Sequence, residues 1–474
     1  MSGPFGNPSF RAETSRIRHL DAAGARAIVD AFRRPVVAAE DGEPAFDPDE
    51  TIVRATHGWL RVAGGSEVGV VGHYQTHLYL HEVIRLSVAV ARELAGHSGH
   101  LYLDRITSIR DAVAAALGEH RGGGLSLNNL RRLSATAATS LGRHGGELSF
   151  GRLERLSPAA AKGLARHTHA LHLAGLETLG PRVAEALSRH RGDLFLDGLA
   201  RLTGREAACL ARHPGKLHLH GLQTLGGPVA EAFASRKGYL CLQKVATVTA
   251  SEAALLAGHR GPLHLSSLDV TDAVAECLGT HEGSLSIRVP NTIPVARLKA
   301  LVHHGGPLSL GGLTALGQPR AAVLAAQPCV GGRRGLSGLF LNSVTTISAA
   351  VAATLATHTA GTLSLNGLTE IAPDVARELV RHPLLSLDGL KKVSDDVAAI
   401  LATHSGASLS VRWLEEASPR AISCLQDNPA IDLGRHWDPA GPGRSTHHTQ
   451  GVISTIARIA EAGEAALQRG RHRR

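Results

Sequence analysis

Apolar positions along most of this chain alternate between two rhythms. First come a leucine, one variable residue and a second leucine, as in "LHLAGL" from Leu171, "LFLDGL" from Leu194 and "LHLHGL" from Leu217. Apolar residues two apart lie on one face of a strand. Another Leu or Val stands five residues after the first leucine, and a further apolar residue such as Leu133, Leu156 or Leu179 stands eight after it. A small hydroxyl residue follows at Ser134, Ser157, Thr203, Thr249, Ser348, Ser394 and Ser418, in the place of a helix cap. Pro158 and Pro419 then take the first helical position, where a missing N–H costs nothing. Beyond the cap, Ala and Leu recur three apart (Ala161 and Leu164, Ala184 and Leu187, Ala207 and Leu210), which puts them on one helical face. Each unit therefore predicts a short strand, a turn and a short helix.

The strand frame recurs from Leu78 to Ile431 at spacings of 22 to 24 residues, apart from 31 between Leu308 and Leu339. A fixed period of this size marks a solenoid. One unit cannot bury its apolar face alone; only its neighbours complete the core. The reading divides the chain into an irregular N-terminal cap (1–77), a solenoid of about 16 units (78–433), a Pro/Gly-rich linker (434–450) and a C-terminal amphipathic helix with a basic tail (451–474). Within the cap, "LDAAGARAIVDAFRR" (20–34) carries the helical pattern and "WLRVAGGSEV" from Trp59 reads as a decayed strand. The long spacing holds "CVGGRRGLSG" (329–338), a surface-loop composition without the Lys and Ser/Thr of a phosphate-binding loop.

In period and in the L-x-L strand, the array resembles a leucine-rich repeat protein over residues 78–433, and most nearly a bacterial type with 23-residue units. The resemblance implies an α/β solenoid, with a parallel β-sheet on the concave face, short helices on the convex face, and use as a protein-binding scaffold. It names no catalytic residue and no partner. One departure stands out: where the family pattern has Asn or Cys five residues into the frame, this chain has Leu, Val or Ile. The expectation is that no asparagine ladder satisfies the turn backbone.

Histidine is the second regular feature. Three residues after the helix leucine stand His97, His120, His144, His167, His190, His213, His259, His281, His304, His358, His382 and His404, with Arg236 and Asn428 in two other copies. At a helix end these are expected to bond terminal carbonyls and the turn into the next strand. They have no acidic or thiol companions, so they read as structural and not as metal ligands.

Composition changes this picture little. Aromatics are 3 % of the residues, so the core is built from Leu, Val and Ala layers. The net charge of +9 is spread thinly, a weak argument for nucleic acid. Five scattered cysteines without a C-x-x-C pair fit reduced thiols and a cytoplasmic setting. No secretory leader and no run of 18 apolar residues is visible, so no membrane partner is expected.

Residues between the strand leucines point away from the core, as do those two positions further on. Most copies place Ser, Asn, Asp or Gly there, but the middle of the array gathers His172, Phe195, Asp197, His218, His220, Cys241, Gln243 and His264. Departure from the repeat is where specificity is expected. These eight are the candidate contact residues for an unidentified protein partner. A metal held by His218, His220 and Cys241 is the sharper alternative. It is set aside because a sheet face offers neither enclosure nor supporting hydrogen bonds. With no triad, nucleotide loop or paired carboxylates in view, the chain reads as a non-enzymatic scaffold without catalytic residues, cofactor or metal. Nucleic-acid binding through arginines and the basic tail is the other reading.

Overall fold

The L-x-L segments form strands of two to four residues, and each accepts and donates backbone hydrogen bonds to the next copy. Leu125 N donates to Glu147 O (2.8 Å) and Leu127 N to Ser149 O (2.9 Å), and the pattern recurs along the array. Within each of the chain's two compact units the described strands of the array run parallel and follow one another in chain order. The structure, a computed structural model, describes residues 22–23, 25–26, 59–62, 66–69, 78–80, 83–328 and 338–434. These fall into two compact units. The first holds the described residues to Leu199 together with His213–Lys216, and the second holds Ala200–Arg212 and those from Leu217 onward. Six of the strands, Leu78–Tyr79 to Leu194–Phe195, lie in the first unit and ten, Leu217–His218 to Ile431–Asp432, in the second.

After each array strand from Leu78–Tyr79 to Ser408–Ser410 comes a helix of seven or eight residues, such as Pro181–Leu187 in the first unit and Asp395–Leu401 in the second. All seven hydroxyl caps expected from the sequence accept a hydrogen bond from the third helical N–H. Thr203 and Thr249 complete capping boxes with Glu206 and Glu252. Ser87 and Thr271 are two further caps of the same kind. Within each unit the strand leucines and the helix Ala and Leu are buried together: Leu171, Leu173, Ala184 and Leu187 in one, Leu385, Leu387, Ala398 and Leu401 in the other. The fold is the α/β, leucine-rich-repeat-like solenoid that the period implies.

The turn after each strand corrects one expectation and explains another. Its backbone closes on itself: Leu130 N donates to Leu127 O (3.1 Å) and Leu368 N to Leu365 O (3.1 Å), so an apolar residue at the fifth position suffices. A ladder of Asn and Asp nevertheless exists, one step away, on the open face of the sheet. Asn128 Oδ1 accepts from Ser149 Oγ (2.6 Å) and from the Gly151 amide (2.8 Å) of the next copy, and Asp104 does the same for Ser126 and Asn128. In the second unit Asn342, Asn366 and Asp388 each receive a serine hydroxyl and a backbone amide from the following repeat. The expectation of no asparagine ladder is therefore wrong for these copies; side chains two residues apart share a face, and the neighbouring copy brings the donors.

The histidines form a second ladder, at the helix ends. All twelve are buried. Successive rings stack at about one repeat's spacing, with centroids 5.9 Å apart for His167 and His190 and 6.0 Å for His259 and His281. They serve the turn backbone: Gly146 N donates to His144 Nδ1 (3.1 Å) and Gly306 N to His304 Nδ1 (3.0 Å). Others reach back one repeat, as His259 Nδ1 donates to Phe233 O (3.1 Å) and His404 Nδ1 to Val380 O (3.0 Å). His144 Nδ1 is also 2.9 Å from Gly146 O, and its Nε2 lies 2.7 Å from His120 Nδ1, a hydrogen bond that joins the rings of two layers. Two residues after the histidine a glycine often follows, because a Cβ at Gly215 would meet Gly192 O at 2.2 Å. Gln327, overlooked in the sequence pattern, fills the same place: its amide donates to Gly306 O (2.9 Å), and its Oε1 accepts from His358 Nε2 (3.3 Å).

Outside the array, Trp59–Val62 and Ser66–Gly69 form an antiparallel pair in place of a single decayed repeat strand. Residues 22–23 and 25–26 are helical, Ala25 is buried, and Arg26 pairs bidentately with Glu93 (2.6 and 3.0 Å). The expected surface loop at 329–337, the rest of the N-terminal segment, and residues 435–474 lie outside the described residues.

Burial holds these imidazoles neutral. It lowers His144, His259, His304, His358 and His382 to about 4 and His120 and His167 to about 3. Unfolded histidines titrate near 6.5, so between pH 6.5 and 4 the unfolded chain binds more protons and stability falls as the pH falls. A ring lowered to 4 costs about 2 kcal/mol at pH 5, and three such rings exceed 5 kcal/mol, the lower end of ordinary domain stability. Ellipticity followed by acid titration is expected to collapse between pH 6 and 4; a chain still folded at pH 4 contradicts the ladder's role. Separately, Asn366→Ala should cost about 1–2 kcal/mol in a urea titration, since Ser386 Oγ and Asp388 N lose their shared acceptor.

Candidate functional site

The open face of the sheet carries three outward rows, because strand alternation places the residue before the first leucine on the same face as the two after it. In the first unit His172 and Phe195 are register partners. Their rings stack face to face, with centroids 4.0 Å apart and planes 12° apart, and both are half-buried. Burial lowers the His172 pKa, while Glu147, Asp197 and Asp193 pull it up. Desolvation prevails, so His172 is a neutral flat ring on which Phe195 can lie. Asp197 stands beside them, half-buried. A second stack joins Tyr79 and Tyr102 at 4.3 Å; alternation places both in the outward row, but they are not among the eight candidates.

In the second unit His218, Cys241 and His264 are in register on three consecutive strands. His220 lies two residues from His218 on the same face, and its Nε2 comes within 3.3 Å of His218 Nδ1 with the rings nearly perpendicular. His264 turns to its own strand neighbour and hydrogen-bonds with Ser266 Oγ. Burial lowers the His264 pKa, with His220 adding to the effect. Gln243 is exposed at the side.

Cys241 departs from the expectation of an open contact residue. It is only 2 % exposed, covered by the side chains around it. Tyr239 is one of them: its ring packs at 5.2 Å on His218, and burial together with the neighbouring Cys241 raises its pKa. Period-two alternation carried one residue upstream of Leu240 would have found Tyr239. The eight candidates therefore separate into a ring stack with a carboxylate in one unit (His172, Phe195, Asp197) and a donor cluster in the other (His218, His220, Cys241, His264), with Gln243 exposed beside it.

Ligand-capable atoms of His218, His220 and Cys241 all lie within 4.8 Å of one another. Among the described residues no helix is long and apolar enough to cross a membrane.

Comparison with known proteins adds limited detail. No family model matches the chain, and no curated protein matches it. Among solved structures, it is similar to a leucine-rich repeat protein of Leptospira interrogans at 16 % identity, over 74 % of this chain and 93 % of that one, with a TM-score of 0.32. The Toll–Spatzle complex of Drosophila is similar at 13 % identity, over 72 % and 43 % of the two chains, with a TM-score of 0.31. At such scores the architecture rests on the strands and helices described above.

The burial of Cys241 has a direct chemical consequence. Cys209, Cys277 and Cys424 are each partly exposed. Under native alkylation followed by peptide mass spectrometry, Cys241 should be labelled last of the four, at least ten-fold more slowly than Cys209. Equal rates would show that the cluster does not shield the thiol.

Proposed function

We propose that this chain is a non-enzymatic scaffold that binds a protein partner through the open face of its sheet. The observation that carries this reading is the replacement of the Ser/Asx ladder by stacked, half-buried rings at His172 and Phe195. Elsewhere on the face, hydroxyls and amides are consumed by bonds to one another, as at Ser149, Asn128, Ser386 and Asn366. At His172 and Phe195 neutral rings lie flat instead, already ordered, and aromatic surface ordered in advance is what partner recognition uses most effectively. The donor cluster at His218, His220, Cys241 and His264, with Gln243 beside it, supplies the polar counterpart in the other unit. Asp197 adds a carboxylate next to the ring stack.

Stacked, near-identical layers favour an open surface over a deep cleft, and clefts are where catalysis is carried out. Binding of nucleic acid through the arginines is the competing interpretation, and salt separates the two. Contacts made by rings and hydrogen bonds should persist in about 0.5 M salt, whereas phosphate contacts weaken by orders of magnitude.

The test is capture of partner proteins by the intact chain and by a variant carrying His172→Ala, Phe195→Ala and His218→Ala, in low salt and in about 0.5 M salt. A protein that the intact chain retains in both and the variant loses supports the reading. If the variant captures the same proteins as the intact chain, these residues are not the interface; if all capture vanishes with salt, the polyanion reading replaces it.

A further inference from the structure

We infer that His218, His220 and Cys241 form a zinc site with three protein ligands and an open fourth position on the exposed face of the second unit. The three donors are two imidazole nitrogens and a thiol, the set that borderline-soft divalent ions select. Strand geometry brings them together: two residues apart on one strand for the histidines, and in direct register across the ladder for Cys241 and His218.

The spacing agrees with the coordination geometry of zinc. Two nitrogens bound at about 2.0–2.1 Å at a tetrahedral angle lie about 3.3 Å apart. His218 Nδ1 and His220 Nε2 stand 3.3 Å apart. A thiolate bound at about 2.3 Å would lie about 3.6 Å from each nitrogen. All three donor atoms already fall within 4.8 Å, so an adjustment on the order of 1 Å by side-chain rotation closes the shell.

The surroundings supply what a bare sheet face would lack. Cys241 is only 2 % exposed, so bulk water does not compete for its sulfur. Tyr239 lies against both the His218 ring and the Cys241 sulfur, where its hydroxyl can donate to a metal-bound thiolate and orient it. His218 and His220 are only half-buried, which leaves an entry path from solvent. On binding, the ion takes the lone pairs of His218 Nδ1 and His220 Nε2, each imidazole keeping its proton on the other nitrogen. The Cys241 thiol releases one proton, so affinity should rise with pH. The fourth position is left to water or to a donor from a partner. The buried ladder histidines are a different population: they stand at the helix ends, where His144 and His259 bond backbone groups of Gly146 and Phe233.

The experiment uses the full-length, tag-free, reduced protein, stripped with a chelator and titrated with cobalt(II) and then zinc(II). Zinc uptake is measured with no partner present, so its outcome is separate from partner capture. One equivalent of cobalt should produce a thiolate-to-metal charge-transfer band together with the visible absorption of a tetrahedral ion, and zinc should displace both. Cys241→Ser should abolish the charge-transfer band, and His220→Ala should weaken zinc binding at least ten-fold. Cys209→Ser should change neither. If Cys241→Ser fails to fold by circular dichroism, His220→Ala, at a half-buried position on the sheet surface, carries the test. The inference is overturned if no charge-transfer band develops at one equivalent, if the band persists in folded Cys241→Ser, or if His220→Ala binds zinc within two-fold of the parent.

Discussion

Stacking near-identical layers about 4.8 Å apart forces each side chain against its own counterpart in the next layer. For leucine this is favourable, because each neighbour removes apolar surface from water, and a single repeat could not do so. For a titratable group it is a constraint: like charges cannot be stacked in a dry interior. The histidine ladder meets that constraint by remaining neutral, with each ring able to accept from a turn amide or donate to a carbonyl. Where His144 and His120 hydrogen-bond to each other (2.7 Å), the tautomers of two layers are coupled.

Exceptions along the ladder show what the position demands. Gln327 and Asn428 substitute for histidine by offering amide donors to backbone carbonyls, at Gly306 and at Ala402 and His404. Arg236 is the one cation among the buried ladder residues described here. Its guanidinium reaches the carbonyls of Leu210, Ala211 and Tyr239, and burial lowers it only to about 10, so it stays charged. A lone cation between layers is tolerated because its neighbour His259 is neutral. The requirement is hydrogen-bonding capacity at the helix end, not imidazole chemistry.

The open face obeys the same rule with different groups. Ser and Asx alternate so that an oxygen in one layer accepts from the hydroxyl and amide of the next, a chain that uses up its own polarity. Rings interrupt the chain at Tyr79 and Tyr102, and again at His172 and Phe195. At His218, His220 and Cys241 the donors meet each other instead of a ladder partner.

Much of this was legible in the residues themselves. Period, strand frame, hydroxyl caps and the buried histidine position all follow from spacing, because local propensity and burial repeat with the unit. Alternation alone nominated the eight candidate face residues. Three features were decided only in three dimensions. The Asx ladder appears once adjacent copies are in register, since its donors come from the next repeat. Tyr239 joins the cluster by lying across from His218, and Cys241 sinks to near-complete burial under side chains of neighbouring strands. Sequence spacing determines which face a side chain takes along its own strand; which groups it meets across strands, and how deeply they cover it, depends on contacts between residues about 23 positions apart.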